Sequence, residues 1–184
     1  GKNVYVTSDS DKILDMAQSY GCKTIKRPKN ISTDISSSES AIKHTLKCLD
    51  FVNIDYIILL QCTSPLRFSK DIDNALEQII KERKNSLFSV VEFDDLTLWK
   101  QLKSNIIPST YNPLNRKIRQ KSKNHYFENG SIYIFKPSVL FKKNNRIDIK
   151  SFTVYKMKKI QLFEIDDLED FKLTEKIYNN FFNN

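Results

Sequence analysis

The chain has 184 residues, 40% of them hydrophobic and 28% charged, and carries a formal net charge of +8. That length buries one substantial core and is short for two, so a single domain over residues 1–184 is expected. No stretch approaches the roughly 20 apolar residues of a membrane helix and no secretory pattern opens the sequence, which points to a soluble cytoplasmic protein.

The three cysteines, Cys22, Cys48 and Cys62, are odd in number and lack metal-ligand spacing, and His44 and His125 are the only histidines. Reduced, packing cysteines are expected in place of a zinc site or a disulfide framework. The positive charge favours an anionic partner without choosing among nucleic acid, nucleotide and acidic sugar.

In chain order, residues 3–7 read as a short strand, followed by a helix capped by Asp9 or Ser10 with Ile13, Leu14 and Ala17 on one face. Gly21 ends that helix, and a second strand at 22–26 runs into Arg27-Pro28 and a Ser/Thr/Asp-rich loop. Ser38-Glu39-Ser40 opens a helix through Leu49, with Ala41, Ile42, Thr45 and Leu46 inward. A strand at 55–61, a helix at 69–84 striped by Ile72, Leu76, Ile79 and Ile80, and a strand at 87–91 follow. Strands alternating with helices at these lengths predict a parallel sheet wrapped on both faces.

Residues 94–124 then break the pattern, holding the lone Trp99, two prolines and a basic run from Arg116 to Lys123. They read as an excursion from the sheet, suited to an interaction arm. Order returns in strands at 131–135 and 151–157, an extended segment at 161–166, and a closing helix from about Leu168 to Phe182.

Three constellations carry chemistry. The apolar run ending at Leu60 passes into Gln61-Cys62-Thr63-Ser64-Pro65-Leu66-Arg67. Ligands of open α/β sheets bind just beyond the carboxyl ends of strands, which makes Gln61, Thr63, Ser64 and Arg67 candidates. The same residues also fit a plain polar turn in which Pro65 stops the strand. In Phe163-Glu164-Ile165-Asp166 a strand period of two places both carboxylates on one face, a pair suited to magnesium, which takes one or two carboxylates and completes its shell from water and phosphate. Asp167, Glu169 and Asp170 equally suit the positive end of a helix. Finally, Asn129-Gly130 reads as a tight turn before a strand presenting Tyr133.

Taken in sequence, Arg27-Pro28 with Asp34 and Ser38, the string Leu-Leu-Gln-Cys-Thr-Ser-Pro-Leu-Arg at 59–67, Arg119-Gln120, Tyr126, Asn129-Gly130, Tyr133 and Glu164-Ile165-Asp166 resemble the acylneuraminate cytidylyltransferases. The resemblance implies a three-layer Rossmann-like nucleotidyltransferase fold with a mostly parallel sheet. It implies transfer of a cytidylyl group from CTP to a nine-carbon 2-keto sugar acid, sialic acid or a relative, with release of pyrophosphate. By the match, Arg27 and Ser38 lie against the nucleoside, and Gln61, Asn129 and Tyr133 hold the sugar. Arg119, with Gln120 beside it, faces the sugar carboxylate, and Lys100 corresponds to a substrate-facing lysine. Glu164 and Asp166 hold Mg2+, with glutamate standing where the family has aspartate, and cysteine at 62 where it usually has proline. The family also implies a homodimer built through an arm at 94–124, and neither nucleic acid nor membrane as a partner.

A glycine-containing phosphate loop precedes the first strand in that family. Gly1, Gly21 and Gly130 are the only glycines, so a chain without that first βα unit is expected, and with it impaired catalysis by this chain alone. A noncatalytic sugar- or nucleotide-binding descendant is the alternative. A basic nucleic-acid-binding domain is permitted by charge and unsupported by motif.

Overall fold

A computed structural model describes residues 3–49, 53–93, 97–115 and 125–182. The chain forms two compact units, residues 1–57 with 135–148 and residues 58–134 with 149–184.

In the first unit, β1 (Tyr5–Ser8) and β2 (Lys23–Lys26) pair in parallel, Tyr5 opposite Lys23 and Ser8 opposite Lys26. Helix α1 (Asp11–Ser19) connects them. Parallel neighbours need such a crossover because a tight turn cannot reverse the chain direction twice. Gly21 follows α1 at φ +77, a conformation a glycine adopts without strain. Of the expected inward residues Leu14 is buried, whereas Ile13 is 52% exposed. Helix α2 (Ser38–Cys48) is capped by Ser37, whose hydroxyl accepts from the Ser40 amide, and it buries Ala41, Ile42 and Leu46. Tethers from α2 run to the chain beyond residue 137: Lys43 donates to Asn144 at 2.5 Å and Arg146 pairs with Glu39 at 2.9 Å.

The second unit is built on a mixed four-stranded sheet. It contains β3 (Ile57–Leu60), β4 (Ser86–Phe93), β7 (His125–Phe135) and β8 (Phe152–Met157), in the order β3-β7-β4-β8. Strands β4 and β8 run parallel, Ser86 opposite Phe152 through Val91 opposite Met157. The core here comprises Leu66, Ala75, Ile79, Leu87, Val90, Val91, Ile132 and Ile134. Helix α3 (Ser69–Lys81) lies along β8, where Gln78 donates to Thr153 and to the Val154 carbonyl. Its buried stripe runs through Ala75 and Ile79, leaving Ile80 53% exposed.

The structure departs from these expectations in four places. Asn129-Gly130 is no turn, because β7 runs unbroken from His125 to Phe135 through both residues. Residues 161–166 form no strand: Lys159–Leu162 is a 3-10 turn, and residues 163–165 follow it without sheet pairing. Within 94–124, the described residues contain a hairpin of β5 (Trp99–Leu102) and β6 (Asn105–Pro108), reversed through Lys103 at φ +54. A short helix, α4 (Pro137–Lys143), also appears where no element was expected. The closing helix α5 (Leu168–Phe181) begins as anticipated, capped by Asp167.

Candidate active site

The site is built in the second unit from three pieces of chain. First comes the turn that ends β3. Pro65 lacks the amide a ladder needs, and the chain closes on itself through Ser64 N donating to Gln61 O at 3.3 Å. The freed carbonyls of Gln61 and Ser64 both accept from Nη2 of Arg67. Arg67 is thereby an internal clamp of the turn, its planar fork serving carbonyls that have no sheet partner. Burial lowers its pKa from the ordinary arginine value, yet the group stays charged.

The second piece is the segment after the 3-10 turn. Ile165 N donates to Thr63 O at 2.7 Å, which lays the segment alongside the turn. Glu164 then accepts at Oε1 from the hydroxyls of Thr63 at 3.0 Å and Ser64 at 3.5 Å. Thus residues 100 and 101 positions apart share one carboxylate oxygen.

The third is Gly130 on β7. Its φ of +65 lies in the left-handed region, and a Cβ there would stand 3.0 Å from Ser64 Oγ, 3.2 Å from Glu164 Oε1 and 3.7 Å from Gln61 Nε2. Glycine is therefore required twice over, by backbone conformation and by the approach of these three side chains. Glu128 and Tyr133, five residues apart, would face opposite sides of a regular strand, yet the Tyr133 hydroxyl donates to Glu128 Oε1 at 2.5 Å. A one-residue shift of alternation at Gly130, as in a β-bulge, accounts for that pairing.

The remaining expected site residues are distributed as follows. Asn129 is 1% exposed, and its amide is committed inside the unit: Oδ1 accepts from Ser89 at 2.6 Å, and Nδ2 donates to Gln161 O at 2.9 Å and contacts Met157 Sδ. Tyr133 is 5% exposed. Asp166 is exposed beside the α5 cap, its amide donating to Asp170 Oδ2 at 3.1 Å. Lys100 is exposed on β5, opposite Ile107. In the first unit, Arg27 donates from Nε to Ser32 Oγ at 3.0 Å, and Ser38 is the exposed first residue of α2. Arg119 and Gln120 lie outside the described residues.

Sequence reasoning found the partners of the cluster and missed its centre, Gly130, by reading Asn-Gly as a turn. A usable signal was present: strand formers flank this glycine on both sides, Tyr126 and Phe127 before it and Ile132 and Tyr133 after it.

For a metal, the oxygen-only pair of Glu164 and Asp166 suits a hard cation that draws its other ligands from water and phosphate. Among the described residues no group of three or more His, Cys, Asp or Glu could hold one alone.

A model of the family described as Cytidylyltransferase matches residues 1–184. The chain belongs to the cytidylyltransferase family. Within it, the chain is 30% identical over 178 residues to N-acylneuraminate cytidylyltransferase A of Danio rerio, a match covering 95% of this chain and 40% of that protein. It is 23% identical over 179 residues to pseudaminic acid cytidylyltransferase of Campylobacter jejuni, covering 95% and 77%. The chain thus spans well under half the length of the fish relatives, 40% of the Danio rerio protein and 31% of the Oncorhynchus mykiss N-acylneuraminate cytidylyltransferase. A solved CMP:2-keto-3-deoxy-manno-octonic acid synthetase in complex with CTP superposes with a TM-score of 0.65 at 13% identity, over 96% of this chain and 80% of that one. At such identity it shows the α/β fold alone.

Proposed function

We propose that this cytidylyltransferase-family chain forms a CMP-sugar from CTP and a sialic acid or related nonulosonic acid. The observation that carries the reading is the convergence of Gln61, Ser64 and Glu164 on Gly130, with Thr63 donating to the same Glu164 oxygen as Ser64, at the end of β3. In the reaction the anomeric hydroxyl attacks the α-phosphorus, the new C–O–P ester forms, the bond to pyrophosphate breaks, and the hydroxyl proton leaves. Such transfer needs in-line placement and neutralised phosphate charge more than covalent help from the protein.

Each residue has a part in this reading. Gln61, whose amide can both donate and accept, holds the sugar hydroxyls. The Thr63 and Ser64 hydroxyls fix the rotamer of Glu164, and Glu164 with Asp166 is the pair that would hold Mg2+. When bound, that cation supplies neutralisation of charge on the phosphate oxygens. Arg27 and Ser38 contact the nucleoside. Arg119, with Gln120, meets the sugar carboxylate, where a guanidinium fork fits better than an ammonium. Asn129 and Tyr133 belong to the sugar pocket, and Lys100 faces the substrate.

A homodimer belongs to the same proposal. The hairpin of β5 and β6 leaves Leu98, Trp99, Leu102 and Ile106 between 49% and 65% exposed, an apolar surface of the kind that protein interfaces cover.

Pyrophosphate release tests the reading. CTP with Mg2+ and a panel of sialic, legionaminic and pseudaminic acids should give release that requires one of the acids and is lost when UTP replaces CTP. Neither release nor measurable binding of CTP or any acid contradicts it and favours a chain that has left this chemistry.

A further inference from the structure

We propose that Gln161 is a positioning residue, which sets Glu164 against the turn at 61–67 from a buried anchor three residues upstream. Its importance for catalysis rests on the reading above; its structural role stands by itself. Gln161 is 2% exposed and uses its whole amide. Oε1 accepts from Lys158 N at 3.0 Å, closing the 3-10 turn, while Nε2 donates to Leu66 O at 3.1 Å and to Asp71 Oδ2 at 2.7 Å. Its backbone carbonyl accepts from Asn129 on β7 at 2.9 Å.

Asp71 carries the anchor further. The same Oδ2 accepts from Phe68 N at 2.9 Å at the start of α3, and Oδ1 accepts from the Tyr155 hydroxyl of β8 at 3.2 Å. One residue therefore joins the substrate turn, the first turn of α3, β7 and the segment that delivers Glu164. Downstream, the bond from Ile165 N to Thr63 O fixes the other side, so Glu164 is suspended between two anchors on one turn. Only a planar amide serves this geometry. An apolar replacement leaves the carbonyl of buried Leu66 without this donor, removes one of the donors on Asp71 and frees the Lys158 amide, and a carboxylate opposes Asp71.

The test is amide hydrogen exchange on the intact chain with Gln161→Met and Gln161→Glu. In Gln161→Met the protection of Ile165 should fall by about tenfold or more, while that of Ile79 in α3 is kept. In Gln161→Glu the new carboxyl, buried beside the Asp71 carboxylate, holds a proton more readily than a free glutamate, and once protonated it restores one of the two donors of the amide. Protection of Ile165, corrected for intrinsic exchange, should therefore recover as pH falls, and this series alone carries the test if Gln161→Met does not fold. Alongside it, the Mg2+ concentration for half-maximal pyrophosphate release should rise in both variants at neutral pH, with the KM for CTP moving less. Unchanged protection at Ile165, or equal loss at Ile165 and Ile79, overturns the proposal. The predicted exchange pattern in a protein that releases no pyrophosphate even as wild type upholds the anchor and removes the cytidylyl-transfer reading.

Discussion

At the scale of single residues, Glu164 and Gly130 carry opposite burdens. Glu164 brings charge to a half-buried spot and is held there by two hydroxyls from a distant part of the chain. Glu164→Gln keeps the shape and the accepting oxygen while removing the charge. It should leave thermal stability nearly unchanged and lower kcat by about 100-fold or more, the scale of losing one charge-stabilising group from an active site. A variant with undiminished kcat would return Glu164 to a structural part. Gly130 contributes by having no side chain. Gly130→Ala forces an L residue into the left-handed region, about 1–2 kcal/mol by itself, and drives a methyl to within 3.0 Å of Ser64 Oγ. Urea denaturation should report at least that loss, together with weakened turnover. A variant as stable as wild type would mean that the strand relaxes at this point.

Among elements, the helix termini and strands were readable because their signals are local. Asp167-Leu168-Glu169-Asp170 announces a capped helix, and the structure shows Asp167 accepting from the Glu169 and Asp170 amides at 2.8 and 2.9 Å. Asp167→Ala should cost about 1 kcal/mol in chemical denaturation, as loss of an N-cap does, and no loss at all would leave α5 held by packing alone. What stayed hidden depends on partners far along the chain. Asn-Gly reads as a turn until neighbouring strands claim the residues on both sides of it, and then a positive-φ glycine sits inside an 11-residue strand. Phe163–Asp166 has the alternation of a strand, but the amide of Ile165 finds a turn carbonyl in place of a sheet partner. Helix α4 spans only seven residues beginning with Pro137, too few for a helical period to show.

For the whole molecule, composition and the order of motifs were enough to reach the α/β class and the family, the most specific motif being the string at 59–67 that runs past a strand end, where such folds keep their chemistry. The candidate site was legible as a roster and illegible as a geometry: Gln61, Ser64 and Glu164 were named, while Gly130 was read as part of a turn and Gln161 was not named as an anchor. Assembly is a further property at this scale. The exposed apolar hairpin predicts a homodimer in sedimentation at micromolar concentration, with Trp99→Ser shifting it toward monomer. A wild-type protein that remains monomeric would detach the hairpin from dimerisation.

The chemistry itself is most directly visible by phosphorus NMR of the wild-type chain incubated with CTP, Mg2+ and a nonulosonic acid. The account predicts loss of the three triphosphate signals in step with a new sugar phosphodiester and free pyrophosphate, and no change when the acid is omitted. An intact CTP spectrum in the presence of acids, or CMP formed without any sugar ester, would contradict it.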